Sequence, residues 1–204
     1  QRVTKRPRVA APDDDDSDAE FEEAERLTQA LTDLLADNDM EAVLREALRL
    51  KKHPNAEVRS RVAFALNWVE MGDGLSELTS MLGDPDPEVA REIHGYWKTK
   101  VAEIEDSADK ATLLGAAYTT FGDAIDAEFL GDILSEFQTV EDRDAVPRLS
   151  AMLEQSQSPE HIKEFISAMD FFTQPESMSE TKEDALKALK AWEQKMAAED
   201  KEEQ

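Results

Sequence analysis

The sequence predicts an all-α protein built as an α-solenoid of stacked antiparallel helical hairpins. Apolar residues recur at helical spacing along most of the chain, short breakers separate the helical segments, and one segment is repeated internally. The period-2 alternation of a half-buried strand is absent over any useful length. In a solenoid each hairpin buries its apolar face only against its neighbours, so stability requires stacking.

The composition restricts the class of function. The chain has 204 residues, with 23 Lys and Arg against 47 Asp and Glu, and a net charge of −24. Proteins bind nucleic-acid backbones with basic side chains, so this charge argues against nucleic acid as a partner. The absence of cysteine excludes disulfides, thiolate metal sites and a cysteine nucleophile. The length predicts one extended domain with tails rather than two large domains.

The N-terminal segment differs from the rest of the chain. Residues 1–12 contain four basic residues and no acid, whereas residues 13–25 contain nine acids and no base. We expect residues 1–16 to be a disordered leader, because they offer too little apolar surface to offset chain entropy. The basic cluster has several open interpretations: a solvated linker, a nuclear-import signal, a site for anionic lipid headgroups, or the juxtamembrane end of a removed anchor. The start at Gln1 leaves a processed N-terminus open.

The first helix is predicted at about 18–36. Ser17-Asp18-Ala19-Glu20 fits a capping box, which satisfies two backbone N–H groups at a helix start. Ser17 is alternatively a phosphorylation site. The apolar residues that follow at helical spacing are Phe21, Ala24, Leu27, Leu31, Leu34 and Leu35.

Two helical hairpins are predicted next. Helices at 40–51 and 56–71 form the first hairpin, with Gly72 as the C-cap of its second helix. A short helix at 75–82 and a longer one at 88–103 form the second, joined by a turn with two prolines.

The remaining chain predicts further helices and a C-terminal cap. Helices are expected at 108–121 and 126–137 and then from Asp144 and from Ser158, each with an apolar face. A last helix at about 180–198, opened by Ser179 or Ser177, carries one narrow apolar stripe. Its polar outer side is what a terminal repeat needs. The predicted solenoid domain therefore spans 17–198, followed by an acidic tail at 199–204.

The internal repeat has a period of 31 residues. A period of this size, made of two helices and a proline-bearing turn, is typical of α-solenoids. The residues that superpose are Pro54 and Pro85, Glu57 and Glu88, Val58 and Val89, Val62 and Ile93, and Leu66 and Trp97.

At these residues the chain resembles the HEAT-repeat family, and more narrowly its short bacterial-type repeats. The resemblance is strongest over 53–71 and 82–104. In the second copy Ala90 stands where the family has arginine, and Tyr96 and Trp97 fill positions that are usually small, so we expect altered stacking there. HEAT-like domains are scaffolds and binding platforms, and this is the function that the resemblance implies. The first copy matches the family pattern at Pro54, Val58, Arg59, Val62, Ala63, Ala65 and Leu66.

The sequence offers little for catalysis or metal binding. The histidines, His53, His94 and His161, lack the close spacing of paired metal ligands. We expect His53 and His161 to be exposed turn residues, and His94 to be a half-exposed helical residue or to line a groove. Gly72-Asp73-Gly74 lacks the context of a phosphate-binding loop. We predict no catalytic residue, no metal and no cofactor.

One surface feature is a candidate for partner binding. Phe64, Trp68 and Met71 recur at i, i+4 and i+7 on a second side of the predicted helix 56–71. This stripe is either buried against the adjacent repeat or exposed as an aromatic patch, where Trp, Tyr and Met are enriched at binding sites. With the nearby His94 and Tyr96, these residues are the predicted partner-binding set.

The sequence therefore predicts a non-catalytic scaffold that docks a protein or peptide partner, which is basic or amphipathic because the chain is acidic. The first alternative is an accessory or assembly factor tethered to a membrane by a removed N-terminal anchor. The second is an enzyme, such as a lyase, on an α-solenoid. The cytoplasm is slightly favoured over a membrane-tethered extracytoplasmic location. Partner identity and oligomeric state stay open.

Overall fold

The computed structural model describes residues 14–174 and 178–202, and side chains over 18–174 and 178–199. This part of the chain consists of ten α-helices and one 3-10 turn at Gly122–Ala124, without a strand. The predicted all-α class is confirmed. The helices are α1 (Asp14–Ala36), α2 (Met40–Leu50), α3 (Ala56–Trp68), α4 (Met71–Met81), α5 (Pro87–Ala102), α6 (Ser107–Phe121), α7 (Ala127–Phe137), α8 (Asp142–Gln155), α9 (Pro159–Thr173) and α10 (Lys182–Glu202).

The helices pack in a regular order. Each odd-numbered helix contacts the next odd-numbered one, from α1 on α3 to α7 on α9. Among the even-numbered helices, α2 contacts α4, α6 contacts α8, and α8 contacts α10. Helices that form a pair along the chain, such as α2 and α3 or α8 and α9, also contact each other. One continuous core cluster runs through these contacts from Ala24 to Leu189.

Side-chain caps fix where α3, α5, α7 and α9 begin. The Asn55 side chain accepts hydrogen bonds from the N–H groups of the second and third residues of α3, and Asp86 does the same for α5. Asp126 and Ser158 cap α7 and α9 in a similar way. These short polar side chains satisfy backbone donors that the helix cannot pair by itself.

The 31-residue repeat recurs in the local structure of two turns. His53 Nδ1 accepts a hydrogen bond from the N–H of Asn55 at 3.2 Å, and Asp84 Oδ1 accepts one from the N–H of Asp86 at 2.9 Å. Asn55 and Asp86 in turn cap α3 and α5 with their side chains. Each turn therefore has the same pair of features, a side-chain acceptor for the backbone N–H of the capping residue and the cap itself.

A buried ion pair joins these two turns. The Arg59 guanidinium donates to both carboxylate oxygens of Asp84, at 2.7 and 2.9 Å, and to the carbonyl oxygens of His53 and Pro54, each at 2.8 Å. The two side chains are only 9% and 4% exposed. Arg59 therefore clamps its own turn to the next one, and Ala90, one repeat later, cannot form such a clamp.

The first helix begins earlier than predicted. α1 starts at Asp14, so Ser17 lies inside the helix rather than at its N-cap. Asp14 to Asp16, which the sequence assigned to the leader, belong to this helix. Residues 1–13 lie outside the described part of the chain.

The predicted helix 56–71 is wrong at its end. α3 stops at Trp68, Val69 is extended and Met71 already belongs to α4, so Gly72 is not a C-cap and Met71 does not continue the stripe of Phe64 and Trp68. Two features stabilise the break between α3 and α4. Val69 is buried, and its carbonyl oxygen accepts a hydrogen bond from the Lys100 ammonium group at 2.9 Å.

The start of the last helix also differs from the prediction. α10 begins at Lys182, and Thr181 caps it, with its hydroxyl oxygen 3.1 Å from the N–H of Asp184. Ser179 instead donates its N–H and its hydroxyl to Asp170. Ser177 lies outside the described residues. α10 continues to Glu202, beyond the predicted end near 198.

Two glycines of α4 give a matched test of the α3–α4 corner. A Cβ at Gly74 would lie 2.6 Å from the carbonyl oxygen of Leu66, whereas a Cβ at Gly72 would meet nothing within 4 Å. We expect Gly74→Ala to lower the free energy of unfolding by about 1–3 kcal/mol through this backbone clash. Gly72→Ala should leave it unchanged or raise it by up to about 1 kcal/mol. Urea unfolding of both variants measures the difference, and equal effects would contradict the described corner.

Candidate partner-binding surface

Three aromatic side chains of α3 and α5 meet on one surface. The Phe64 ring packs edge-on against Trp68 and against Tyr96, with centroid distances of 6.3 and 6.2 Å. Phe64 and Tyr96 are half-buried, whereas Trp68 is 60% exposed. We call Phe64, Trp68 and Tyr96 the aromatic cluster. The sequence left open whether the aromatic side chains are buried against the next repeat or exposed. Phe64 and Tyr96 pack against each other between α3 and α5, whereas Trp68 is exposed.

A groove between α1, α3 and α5 adjoins the aromatic cluster. Its volume is about 420 Å³, and Phe64 and Tyr96 form part of its lining. We call it the acidic groove, because its lining also includes Glu25, Glu57 and Glu92. The remaining lining residues are Thr28, Gln29, Thr32, Ser60 and Arg61.

One cation is already built into the acidic groove. The Arg61 guanidinium lies over the Phe64 ring, 4.8 Å from its centroid, and its Nε is hydrogen-bonded to the Thr32 hydroxyl at 3.1 Å. Burial and the nearby Glu92 carboxylate raise the pKa of Tyr96, and Arg61 opposes this shift. Tyr96 therefore keeps its proton and remains a hydrogen-bond donor at neutral pH.

The structure does not bring all the predicted partner-binding residues together. Met71 is half-buried against the core at the start of α4 and does not line the acidic groove. His94 has a side chain that is only 14% exposed. Its ring stacks on Phe129 at 3.8 Å, and its Nε2 lies 3.1 Å from the carbonyl oxygen of Leu82. His94 therefore packs between helices, and the aromatic cluster is formed without it.

A second exposed apolar patch, which the sequence did not predict, lies near the end of the chain. Phe171 is 56% exposed and Met178 is also exposed. Both line a cleft of about 450 Å³ beside α7 and α9. The neighbouring Phe172 is buried. The adjacent pair of phenylalanines was the sequence signal that could have indicated an exposed ring here.

A polar cluster joins the 3-10 turn to the α8–α9 turn and also escaped prediction. Asp123 Oδ1 accepts hydrogen bonds from the hydroxyls of Tyr118 and Ser156, at 2.7 and 2.8 Å. Asp123 Oδ2 accepts the N–H groups of Gln157 and Ser158, at 2.7 and 2.8 Å. Asp123 therefore clamps two turns that lie more than thirty residues apart in the sequence.

The prediction that His161 is an exposed turn residue is wrong. His161 is 3% exposed, and its Nδ1 lies 3.4 Å from the Tyr118 hydroxyl and 3.3 Å from Asp123 Oδ1. The ring packs against Tyr118, which α6 supplies from a distant part of the sequence. His53, also predicted to be exposed, is half-buried because its ring accepts the hydrogen bond of Asn55.

The chemistry of this polar cluster is that of a structural clamp. The Ser156 hydroxyl donates to Asp123 and has no hydrogen bond to His161 among the described contacts, so the pairing of nucleophile and base is not formed. Burial alone would raise the pKa of Asp123, but the hydrogen bonds from Tyr118, Gln157, Ser156 and Ser158 outweigh it and lower the pKa well below its usual value.

The Asp123 clamp predicts a pH-dependent stability. A carboxylate with a lowered folded pKa stabilises the fold fully above its unfolded pKa of about 3.9, and this contribution is lost as the pH falls through the folded pKa. We expect Asp123→Asn to lower the free energy of unfolding at pH 7 by about 1–2 kcal/mol, allowing for the partly exposed side chain. The difference from wild type should shrink below about pH 4. Urea titrations across this range measure it, with the exposed Glu154→Gln as control, and a pH-independent difference would count against the clamp.

No cluster of three or more His, Cys, Asp or Glu residues that could hold a metal ion occurs in the described part of the chain. Of the described helices, none combines the length and the apolar composition that a membrane span requires. In comparisons with known proteins, no family model, no curated protein and no solved structure matched the chain.

Proposed function

We propose that the chain is a HEAT-like α-solenoid that acts as a non-catalytic scaffold and docks a basic or amphipathic protein partner. The packing order supports the solenoid, because contacts between successive odd-numbered helices, and between the even-numbered pairs α2–α4, α6–α8 and α8–α10, are expected when hairpins stack. The Arg59 clamp supports the family resemblance, because it occupies the arginine position of the repeat pattern and joins one turn to the next.

The observation that carries the proposed function is the exposed Trp68 beside the acidic groove. Trp68 presents a large apolar surface to solvent, and exposed aromatic side chains rimmed by polar residues are typical of protein-binding sites. The glutamates that line the adjoining acidic groove favour a partner that carries positive charge. Both features lie on neighbouring odd-numbered helices.

Affinity purification tests this function. Tagged wild-type protein and the variants Trp68→Ser and Phe171→Ser are incubated with extract from the producing cells, and the bound proteins are quantified by mass spectrometry. We expect specific proteins to be retained by wild type and Phe171→Ser and lost with Trp68→Ser, because a central aromatic side chain dominates binding energy. Circular dichroism confirms that both variants fold. Retention of the same proteins by folded Trp68→Ser would refute docking at the aromatic cluster.

A further inference from the structure

We infer that the acidic groove takes a lysine or arginine side chain of the partner while an apolar residue about three helical turns away on the same face packs on Trp68. The partner segment is thus a basic amphipathic helix. This inference rests on the proposed docking function and assigns the chemistry of the partner at that surface.

The charges of the acidic groove favour a cation. The lining of the acidic groove includes three glutamates, Glu25, Glu57 and Glu92, and one arginine, Arg61. Glu92 accepts a hydrogen bond from Ser60, whereas Glu25 and Glu57 form no ion pair with any residue that the structure describes. An added ammonium or guanidinium group therefore meets carboxylates that the described part of the chain does not neutralise.

The aromatic cluster can accept a cation on a ring face. Arg61 already lies over Phe64, so a planar cation is compatible with this surface. Tryptophan is the strongest aromatic acceptor of such a contact, and Trp68 is the most exposed ring of the cluster. Trp68 can therefore contact an aliphatic side chain of the partner and also the aliphatic stem of a basic side chain.

The spacing of the surface matches a helix. The centroids of Phe64 and Trp68 are 6.3 Å apart, since the two residues are one helical turn apart on α3. Side chains at i and i+4 of a partner helix are separated by about 5–6 Å between Cβ atoms. Apolar residues on successive turns of a partner helix can thus pack on Phe64 and Trp68. Glu57 lies eleven residues before Trp68 on α3, about 16 Å along the helix axis, so a basic residue about three turns away on the same partner face reaches the acidic groove.

The net charge disfavours a second copy of the chain as occupant. Two molecules that each carry −24 repel one another, whereas a basic segment is attracted and its association is accelerated. The attraction between exposed charges is screened by salt, so the inferred binding weakens as ionic strength rises.

Fluorescence anisotropy with two labelled peptides tests the inference. Each peptide has about 18 residues with leucine on one helical face, and the other face carries lysine in one peptide and glutamate in the other. We expect the full-length protein to bind the lysine peptide in a salt-dependent way, and to bind the glutamate peptide at least about tenfold more weakly. Equal binding of the two peptides would overturn the inference.

Matched variants locate the binding. Trp68→Ser should weaken binding of the lysine peptide about tenfold, whereas Phe171→Ser on α9 should not change it. Glu25→Gln with Glu57→Gln should also weaken it, and the control pair Glu128→Gln with Glu160→Gln, exposed acids at the starts of α7 and α9, should not. Circular dichroism and thermal unfolding check that every variant is folded.

The remaining outcomes separate this inference from the proposed function. If the lysine peptide binds but is unaffected by the α1 and α3 variants, the assignment to the acidic groove is wrong, although docking elsewhere on the scaffold stands. If a peptide of residues 1–12 binds more tightly than the lysine peptide, the groove belongs to the chain's own N-terminal segment. If anisotropy changes only where sedimentation shows dimers, the occupant is a second copy. Each of these results overturns the inference.

Discussion

Replacing Arg59 with methionine is expected to lower the free energy of unfolding by about 3–5 kcal/mol. The substitution keeps much of the aliphatic volume but removes all the hydrogen bonds of the guanidinium to Asp84, His53 and Pro54. It also leaves the Asp84 carboxylate, only 4% exposed, without its counter-ion. Urea unfolding monitored by circular dichroism measures the loss.

Two comparisons show whether burial of the ion pair is the cause. Arg49→Met removes an exposed ion pair with Glu46 and should cost less than about 1 kcal/mol. Adding Asp84→Asn to Arg59→Met removes the unpaired charge and keeps an acceptor for the N–H of Asp86, so the double variant should lose less than the sum of the single variants. Equal losses for Arg49→Met and Arg59→Met would contradict the clamp.

Replacing Trp97 with alanine is expected to cost a similar amount, about 3–5 kcal/mol. Trp97 is fully buried, its ring packs edge-on against Phe129 at 5.3 Å, and its Nε1 donates to the Thr79 hydroxyl at 2.9 Å. The substitution therefore creates a large cavity between α5, α7 and α4 and leaves a hydroxyl without its donor. Thermal and urea unfolding measure the change.

Trp68→Ala is the matched control for Trp97→Ala. It deletes the same side chain from an exposed position, so the expected loss is below about 1 kcal/mol. Trp97→Leu, which introduces the residue found one repeat earlier at Leu66, should cost less than Trp97→Ala because it leaves a smaller cavity. If Trp68→Ala is as destabilising as Trp97→Ala, then Trp68 belongs to the core and the proposed binding surface is wrong.

Local sequence patterns predicted the helices where the signal itself is local. Asn55, Asp86 and Ser158 are short polar residues directly before an apolar periodic segment, and each caps the helix that follows it. Val58, Ile93 and Trp97 recur with the repeat, and all are buried. The sequence predicts altered stacking at Trp97. In the structure Trp97 contacts Phe129 of α7, and the sequence alone does not reveal this contact.

The sequence predictions failed where a distant residue decides the structure. The end of α3 depends on Lys100, which donates to the Val69 carbonyl from thirty-one residues away, so helical periodicity alone continued the helix to Met71. His161 has the local context of an exposed helix start, but Tyr118 and Asp123 cover it. For the candidate surface, Phe64, Trp68 and Tyr96 were predicted, whereas Glu25 had no local signal to distinguish it.

The central proposal is that the hairpins stack as a solenoid, in which each hairpin is held only by its neighbours. Hydrogen–deuterium exchange of wild type and Arg59→Met, resolved by helix, tests this most directly. We expect faster exchange in α2 to α5, the helices joined by the Arg59 clamp, and little change in α7 to α9, because no contact of Arg59 reaches them. An equal acceleration in all helices would show one cooperative globular core and would contradict the proposed solenoid.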